Sequence, residues 1–447
     1  MPSKSNQGTE SVTIIGGGLA GCEAAWQLLK RGKQVRMYEM KPERYSPAHR
    51  TPQLGELVCS NSLRSNKVEN AVGLLKAEMR LLDSLIMKAA DATQVPAGTA
   101  LAVDRHTFAN FIEETLSAQS AFHLIREEAT SIPDEGIVIV SSGPLTSSAL
   151  SGDIAGLTGT EDLYFYDAIS PIVEADSLNY DKIFSASRYD QGLGDYLNCP
   201  LTEEEYRLFR EKLLSAEVVP LKAFEEMKCF EGCLPIEVMA QRGEQTLLYG
   251  PMKPVGLKDP RTGEHPYAVI QLRRENKAGT LFNLVGFQTK MTYPEQRRVF
   301  RTIPGLENAE FVRYGSIHRN TYINSPTILD HYLNMQSDKR IFFAGQITGV
   351  EGYVESAAMG LWAGICAAAC ISHLDVVPPP PTTALGSLIH YITRTDLPDF
   401  QPMNVNFGLF EPLAQRKVAK RYRGMRYAER ALEDIIVWRN NLLKSVR

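Results

Sequence analysis

The stretch Val12-Thr-Ile-Ile-Gly-Gly-Gly-Leu-Ala-Gly21 decides the fold. An apolar run enters Gly16-x-Gly18-x-x-Gly21, a helical segment continues to Lys30, and a second run, Gln34-Val-Arg-Met-Tyr-Glu39, ends on an acid eighteen positions past the last glycine. Strand, glycine turn, helix and acid-tipped strand are the parts of a dinucleotide-binding βαβ unit. Gly16 permits the tight turn, Gly18 admits a pyrophosphate against the backbone, and Gly21 lets helix and strand pack closely. The candidate cofactor-binding residues are therefore Gly16, Gly17, Gly18, Leu19, Ala20 and Gly21, with Glu39 placed to accept from a ribose hydroxyl. The free N–H groups and the dipole of the helix start favour the anion.

Outward from this unit the chain reads as a large flavoprotein. Arg340-Ile-Phe-Phe-Ala-Gly-Gln-Ile-Thr-Gly349 is again strand, glycine loop and helix start, a late return to the flavin end of the cofactor, which adds Gly345 and Gly349 to the cofactor-binding set. The expected fold is α/β: an FAD-binding Rossmann-like domain of glutathione-reductase type with an inserted smaller α+β domain. The boundaries expected are 1–188 for the first part of the FAD domain, 189–314 for the insertion, where the texture turns to an acidic helix and Gly- and Pro-rich turns, and 315–447 for the second part with a basic C-terminal helical segment. Lys41 to Asn70 reads as a long functional loop, Ala71 to Ala90 as one helix from its apolar spacing, Ile137 to Pro144 as a buried strand entering a turn, and Asp162 to Asp167 as a strand.

With 447 residues the chain affords two or three domains. A net charge of -4 argues against a protein that coats nucleic acid non-specifically, while leaving room for a local basic face. Seven cysteines without a Cys-x-x-Cys pair do not form a disulfide framework, so a reducing cytoplasm is expected. The first ten residues are polar and read as a frayed tail. Ser356 to Ser372 is rich in Ala and Gly but too short for a span, which makes it a buried, closely packed helix and predicts no membrane association. No Cys or His spacing suits zinc, so no metal is expected.

Five longer peptides carry a family resemblance: Glu56-Leu-Val-Cys-Ser-Asn-Ser-Leu-Arg-Ser-Asn66, Phe230-Glu-Gly-Cys-Leu-Pro-Ile-Glu237, Gly250-Pro-Met-Lys-Pro-Val-Gly-Leu257, His318-Arg-Asn-Thr-Tyr-Ile-Asn-Ser-Pro326 and Gly345-Gln-Ile-Thr-Gly-Val-Glu-Gly-Tyr-Val-Glu-Ser356. With the opening fingerprint they resemble the folate- and FAD-dependent tRNA (uracil-5-)-methyltransferases of bacteria, from about Val12 to Phe410. The resemblance implies a one-carbon unit taken from 5,10-methylenetetrahydrofolate through reduced FAD to C5 of uridine-54 in the T loop of tRNA, with NAD(P)H as reductant. Two departures are visible. Cys229 precedes Cys233 by four residues, and Gln346 stands where many two-domain FAD enzymes place an Asp.

Uracil C5 is a poor nucleophile until a thiolate adds to C6. The resemblance carries that role to Cys233, beside Gly232 and Pro235. It makes Cys59 the second catalytic residue, either the base that takes the C5 proton or a group that guards the flavin adduct. Ser60, Asn61, Ser62 and Arg64 around it can all donate hydrogen bonds. His318 is placed to stack on the pterin or touch the flavin, and Tyr353 either packs near the isoalloxazine or closes the core.

RNA contact requires cations. From Glu411 to Arg447 there are ten Lys or Arg against four acids, clustered at Arg416, Lys417, Lys420, Arg421, Arg423 and Arg426. Smaller groups are Arg273, Arg274 and Lys277, and Arg297, Arg298 and Arg301. Such groups suit phosphates or a solvated face. Three other readings compete: the flavoprotein type that builds carboxymethylaminomethyl groups on wobble uridines, a small-molecule FAD/NAD oxidoreductase, and a non-catalytic flavin- or RNA-binding protein. Against these stand, in turn, a chain too short with two cysteine peptides, the missing redox Cys pair, and again the cysteine peptides. An adenosylmethionine enzyme shares the glycine-rich turn but not the late return.

Overall fold

The computed structural model describes residues 11–159, 163–190, 194–220, 234–396, 400–414 and 419–445. Cys229, Cys233, Arg416, Lys417 and the first ten residues lie outside them.

The strand Ser11–Ile15 forms the middle of a five-stranded parallel sheet in the order Ile341–Phe343, Ile137–Val140, Ser11–Ile15, Gln34–Tyr38, Phe122–Ile125. Its continuous apolar run suits a strand covered on both faces, and Val12 and Ile14 are fully buried. The chain leaves this strand to one side and returns on the other, so the crevice for a ligand opens at its C-terminal end, where the glycine turn lies.

The helix Leu19–Leu29 follows the turn and is crossed by the long late helix Tyr353–Ile371. The Ala/Gly composition of the late helix is explained by this crossing: a Cβ on Gly360 would stand 2.1 Å from the carbonyl oxygen of Ala20, and one on Gly364 2.7 Å from that of Ala24. The late helix is long and apolar enough to cross a membrane, and 89% of its apolar window is buried inside the protein.

The expected single helix over Ala71 to Ala90 is two helices, Ala71–Leu81 and Leu85–Ala92. Asp83 takes a left-handed conformation (φ 61°) and Ser84 caps the second helix, accepting from the N–H of Met87. Apolar spacing hides the break because both helices pack on the same core. Glu23, buried in the first helix, also holds the junction by accepting from Ser84 Oγ at 2.5 Å and the N–H of Ile86 at 3.0 Å.

A second, six-stranded antiparallel sheet runs in the order Phe184–Ser185, Tyr196–Leu201, Ala268–Arg274, Leu281–Leu284, Ile172–Glu174, Phe311–Arg313. It encloses its own core of Phe209, Phe287, Phe300 and their neighbours. Two of its strands precede the expected boundary at 189, because strand pairing, not the change of composition near Arg188, decides membership. The strands Leu163–Ile169 and Ser316–Tyr322 pair antiparallel and carry the chain out to this unit and back. The chain ends in the helix Lys420–Ser445.

Candidate active site

The glycine turn is sterically over-determined at two positions and open at a third. Gly16 has φ 104°, and a Cβ there would lie 2.6 Å from the backbone oxygen of Ser141. A Cβ on Gly21 would lie 2.0 Å from the carbonyl oxygen of Gly16. Gly18, the first-helix N-cap, has nothing within 4 Å of its Cβ position, and no side chain caps the helix. An anion can therefore approach the helix start at Gly18, as the chemistry of a pyrophosphate requires. Glu39 braces the turn: its carboxylate accepts from the N–H of Gly17 at 2.9 Å and of Lys41 at 3.0 Å. Cys22 donates to the carbonyl of Gly17, and burial pushes its thiol far up, so it is a packing residue.

Around this turn lies an open cleft, lined by Gly16 to Ala20, Glu39, Gly345, Gln346 and Tyr353 among others. Gly345 (φ 86°) brings the late loop against the first helix, its Cβ position 2.7 Å from Ala20 Cβ. Gly349 lines neither cavity; its left-handed turn (φ 83°) lies under the Phe400 ring. The cleft lining, which joins the open helix start at Gly18 to the late loop at Gly345 and Gln346, suits a flavin dinucleotide.

A second chamber shares the wall Val58, Pro144, Leu145, Gln346 and Tyr353 with that cleft. Cys59 lines it. The Tyr353 phenol accepts from the N–H of Cys59 at 2.7 Å and of Ser60 at 3.2 Å, and its oxygen lies 2.9 Å from Cys59 Sγ. Burial, then the neighbouring Cys59, raises the Tyr353 phenol well above its ordinary value, so it keeps its proton.

Sequence reasoning missed the cationic frame beneath this loop. Arg105 pairs with buried Glu275 at 2.9 Å and donates to the carbonyl of Leu57. Arg273, expected to face RNA, is 6% exposed and holds the loop instead, with Nε 2.9 Å from Asn61 Oδ1 and a terminal nitrogen 2.7 Å from Ser60 Oγ. Lys76, fully buried, donates to the carbonyls of Leu63, Arg64 and Ser65, and burial lowers its ammonium to about 7. Arg64 pairs with buried Glu355 on the late helix. Arg105, Glu275 and Arg273 lie far in the chain from the loop they hold and share no local pattern with it, so the sequence did not mark this role.

His318 lines the second chamber and shares a hydrogen bond with Ser316 Oγ at 2.9 Å. Burial, then Arg313 and Arg50, lowers it to about 4. His49, in the cleft, is likewise lowered to about 4, by burial first and Lys41 next. Both are neutral imidazoles near pH 7. The described chain resumes after Cys233 at Leu234, and the N–H of Ile236 donates at 2.7 Å to the carbonyl of Gln288, another residue of the chamber wall.

The family model for glucose inhibited division protein A matches residues 11–375. The methylenetetrahydrofolate--tRNA-(uracil-5-)-methyltransferase TrmFO of Syntrophus aciditrophicus is 62% identical over 96% of this chain and 98% of its own. The protein of the same name from Geobacter sulfurreducens is 61% identical over 96% and 99%. The fold is that of Aquifex aeolicus GidA in its form I crystal, with a TM-score of 0.69 and 17% identity over 97% of this chain and 76% of that one. The chain belongs to the glucose inhibited division protein A family and to the methylenetetrahydrofolate--tRNA-(uracil-5-)-methyltransferases.

Proposed function

We propose that this chain transfers a one-carbon unit from 5,10-methylenetetrahydrofolate to C5 of uridine-54 in the T loop of tRNA, with bound FAD and NAD(P)H as reductant, in the cytoplasm. One observation carries the site assignment: the dinucleotide cleft and the chamber of Cys59 share a wall. A dinucleotide seated on the Gly18 helix start therefore reaches the chamber in which a base can be presented. A methylene group has one hydrogen too few to become a methyl, and reduced FAD supplies the missing hydride.

The chain's own residues have separable tasks. The helix start holds the pyrophosphate and Glu39 keeps the turn in shape, with a ribose hydroxyl as its further partner. Cys233, assigned from the family resemblance, adds as thiolate to C6 of uracil. The electron pair displaced from the C5–C6 bond makes C5 nucleophilic; C5 bonds to the one-carbon unit, loss of the C5 proton with cleavage of the C–N bond to the carrier leaves a methylene on the base, and hydride addition to that methylene expels the thiolate. Cys59 and Tyr353 face the chamber together: the resemblance makes Cys59 either the base that takes the C5 proton or a guard of the flavin adduct, and Tyr353, which keeps its proton, fixes the Cys59 backbone. A neutral His318 offers a ring face to a planar ligand without repelling the nearby arginines. A T-loop base is folded into RNA and must be extruded to reach this chamber.

The test is the origin of the methyl carbon. The purified protein, given tRNA lacking the modification, NAD(P)H and carbon-labelled methylenetetrahydrofolate, should yield labelled 5-methyluridine. Label arriving from adenosylmethionine, or methylation without folate, would sink the proposal.

A further inference from the structure

The second unit carries an aromatic column that runs from its core to its surface. Phe287 and Phe300 meet at 5.8 Å inside the core, Phe300 meets Phe311 at 6.3 Å, and Phe311 stacks on Tyr314 at 5.3 Å with planes 17° apart. Tyr314 stacks in turn on Tyr293 at 4.7 Å and 18°. Tyr293 ends the column half-exposed at 51%. The side chain of Gln296 ties the short helix Tyr293–Phe300 to the turn after Tyr314, with Oε1 accepting from the N–H of Gly315 at 2.8 Å and Nε2 donating to its carbonyl at 2.9 Å.

Beside the column stands an arginine without a carboxylate. Arg298 pairs with Glu295 and Arg301 with Glu310, whereas Arg297 has no acidic partner among the described residues. Its guanidinium is fixed on Tyr314, donating to the phenol oxygen and lying 5.4 Å from the ring centroid. The column also adjoins the active chamber. A Cβ on Gly315 would meet Thr289 at 2.5 Å and the carbonyl of Ile169 at 2.7 Å, and Ile169 and Gln288 line the chamber.

We infer that Tyr293 and Arg297 form a stacking platform for an unpaired nucleotide of the RNA substrate, next to the base delivered to the chamber. This rests on the tRNA reading above. The occupant follows from the chemistry: the column offers one more flat π face to a planar ring, and the fixed guanidinium is matched to the phosphate that travels with a base. A protein partner would more often demand a contiguous apolar patch, and here Tyr293 shares its short helix with the exposed Arg297 and Arg298. Holding the neighbouring nucleotide in a rigid stack keeps the loop open while the target base is in the chamber.

The experiment uses the whole flavin-loaded protein and a synthetic T-arm hairpin RNA. Base–aromatic stacking is worth about 1–3 kcal/mol, so Tyr293→Ala should weaken binding roughly 5- to 150-fold. Tyr293→Leu, which keeps an apolar cover on Tyr314, should lose as much, and Tyr293→Phe should bind as wild type. The salt slope should be unchanged in all three and should fall by about one phosphate contact in Arg297→Gln. Tyr293→Ala or Tyr293→Leu at wild-type affinity overturns the inference. If the wild-type protein itself fails to bind the hairpin, the tRNA reading falls, and this inference with it.

Discussion

Gly18 and Gly21 belong to the same fingerprint and should fail in opposite ways. Gly18 has an ordinary negative φ and open space at its Cβ position. Gly18→Val should therefore fold with its melting temperature close to wild type for the apoprotein, yet carry no flavin, which an absorption spectrum reads directly. In Gly21→Val the side chain enters the Gly16 carbonyl, and the fold itself should weaken by at least the ~1–3 kcal/mol of an overpacked core. Full flavin occupancy in Gly18→Val would remove the cradle assignment. Also in the cleft wall, Tyr353→Phe keeps the ring and removes only the oxygen that accepts from Cys59 and Ser60. Flavin should stay bound and methylation should fall, while the two part-buried N–H groups left without this acceptor cost up to about 1–3 kcal/mol in denaturant titration. Unaltered turnover would separate Tyr353 from the chemistry. The two depressed imidazoles bear on pH. Folded His49 and His318 stay neutral down to about 4, whereas the unfolded chain takes protons below about 6.5. Stability should therefore fall as pH drops from about 6.5 to about 4, and His318→Gln should flatten that slope in urea titrations across the window. A slope identical to wild type would show His318 to be protonated in the folded protein.

At the scale of elements, the crossing of the first and late helices is the joint on which the cleft depends, since one bears the glycine turn and the other bears Tyr353 and Glu355. Gly360→Ala puts a methyl into the Ala20 carbonyl and must part the helices. The expected outcome is a loss of about 1–3 kcal/mol in urea with a weaker flavin affinity; loss of stability with flavin affinity intact would uncouple the crossing from the cleft. This joint was legible in the sequence because close approach leaves a composition, Ala and Gly at helical spacing, and because turns leave glycines. The break at Asp83 left no such mark: Val72, Leu75, Met79, Leu82 and Ile86 keep one apolar register across it. The frame of Arg105, Glu275 and Arg273 was equally silent. A buried ion pair between residues 170 positions apart has no periodicity, and a run such as Arg273-Arg274 looks the same in sequence whether it meets phosphate or a buried loop.

At the scale of the whole molecule, the last described helix sets several exposed cations beside the segment that begins with Cys59. The helix Lys420–Ser445 turns Ala428, Ala431 and Ile435 inward, ties Trp438 Nε1 to the carbonyl of Val377 at 2.7 Å, and packs Gly424 against Glu69, at the end of the segment that begins with Cys59. Arg421, Arg423 and Arg426 remain exposed near its start, with Tyr422 among them. Of these, Arg426 is partly neutralised by Glu429 at 3.0 Å. Such a face contributes affinity without sequence information, because phosphates are alike at every position. Replacing all three arginines by Gln should weaken tRNA binding and reduce the steepness of its salt dependence by up to three phosphate contacts, each about 0.7–0.9 in the logarithmic slope. The modified nucleotide should stay the same if, as proposed, the base enters the chamber and this helix meets only phosphates. A triple variant with the wild-type salt slope would make the cluster a solvated face and move the phosphate track elsewhere; methylation at a new uridine would mean that the helix sets register as well as affinity.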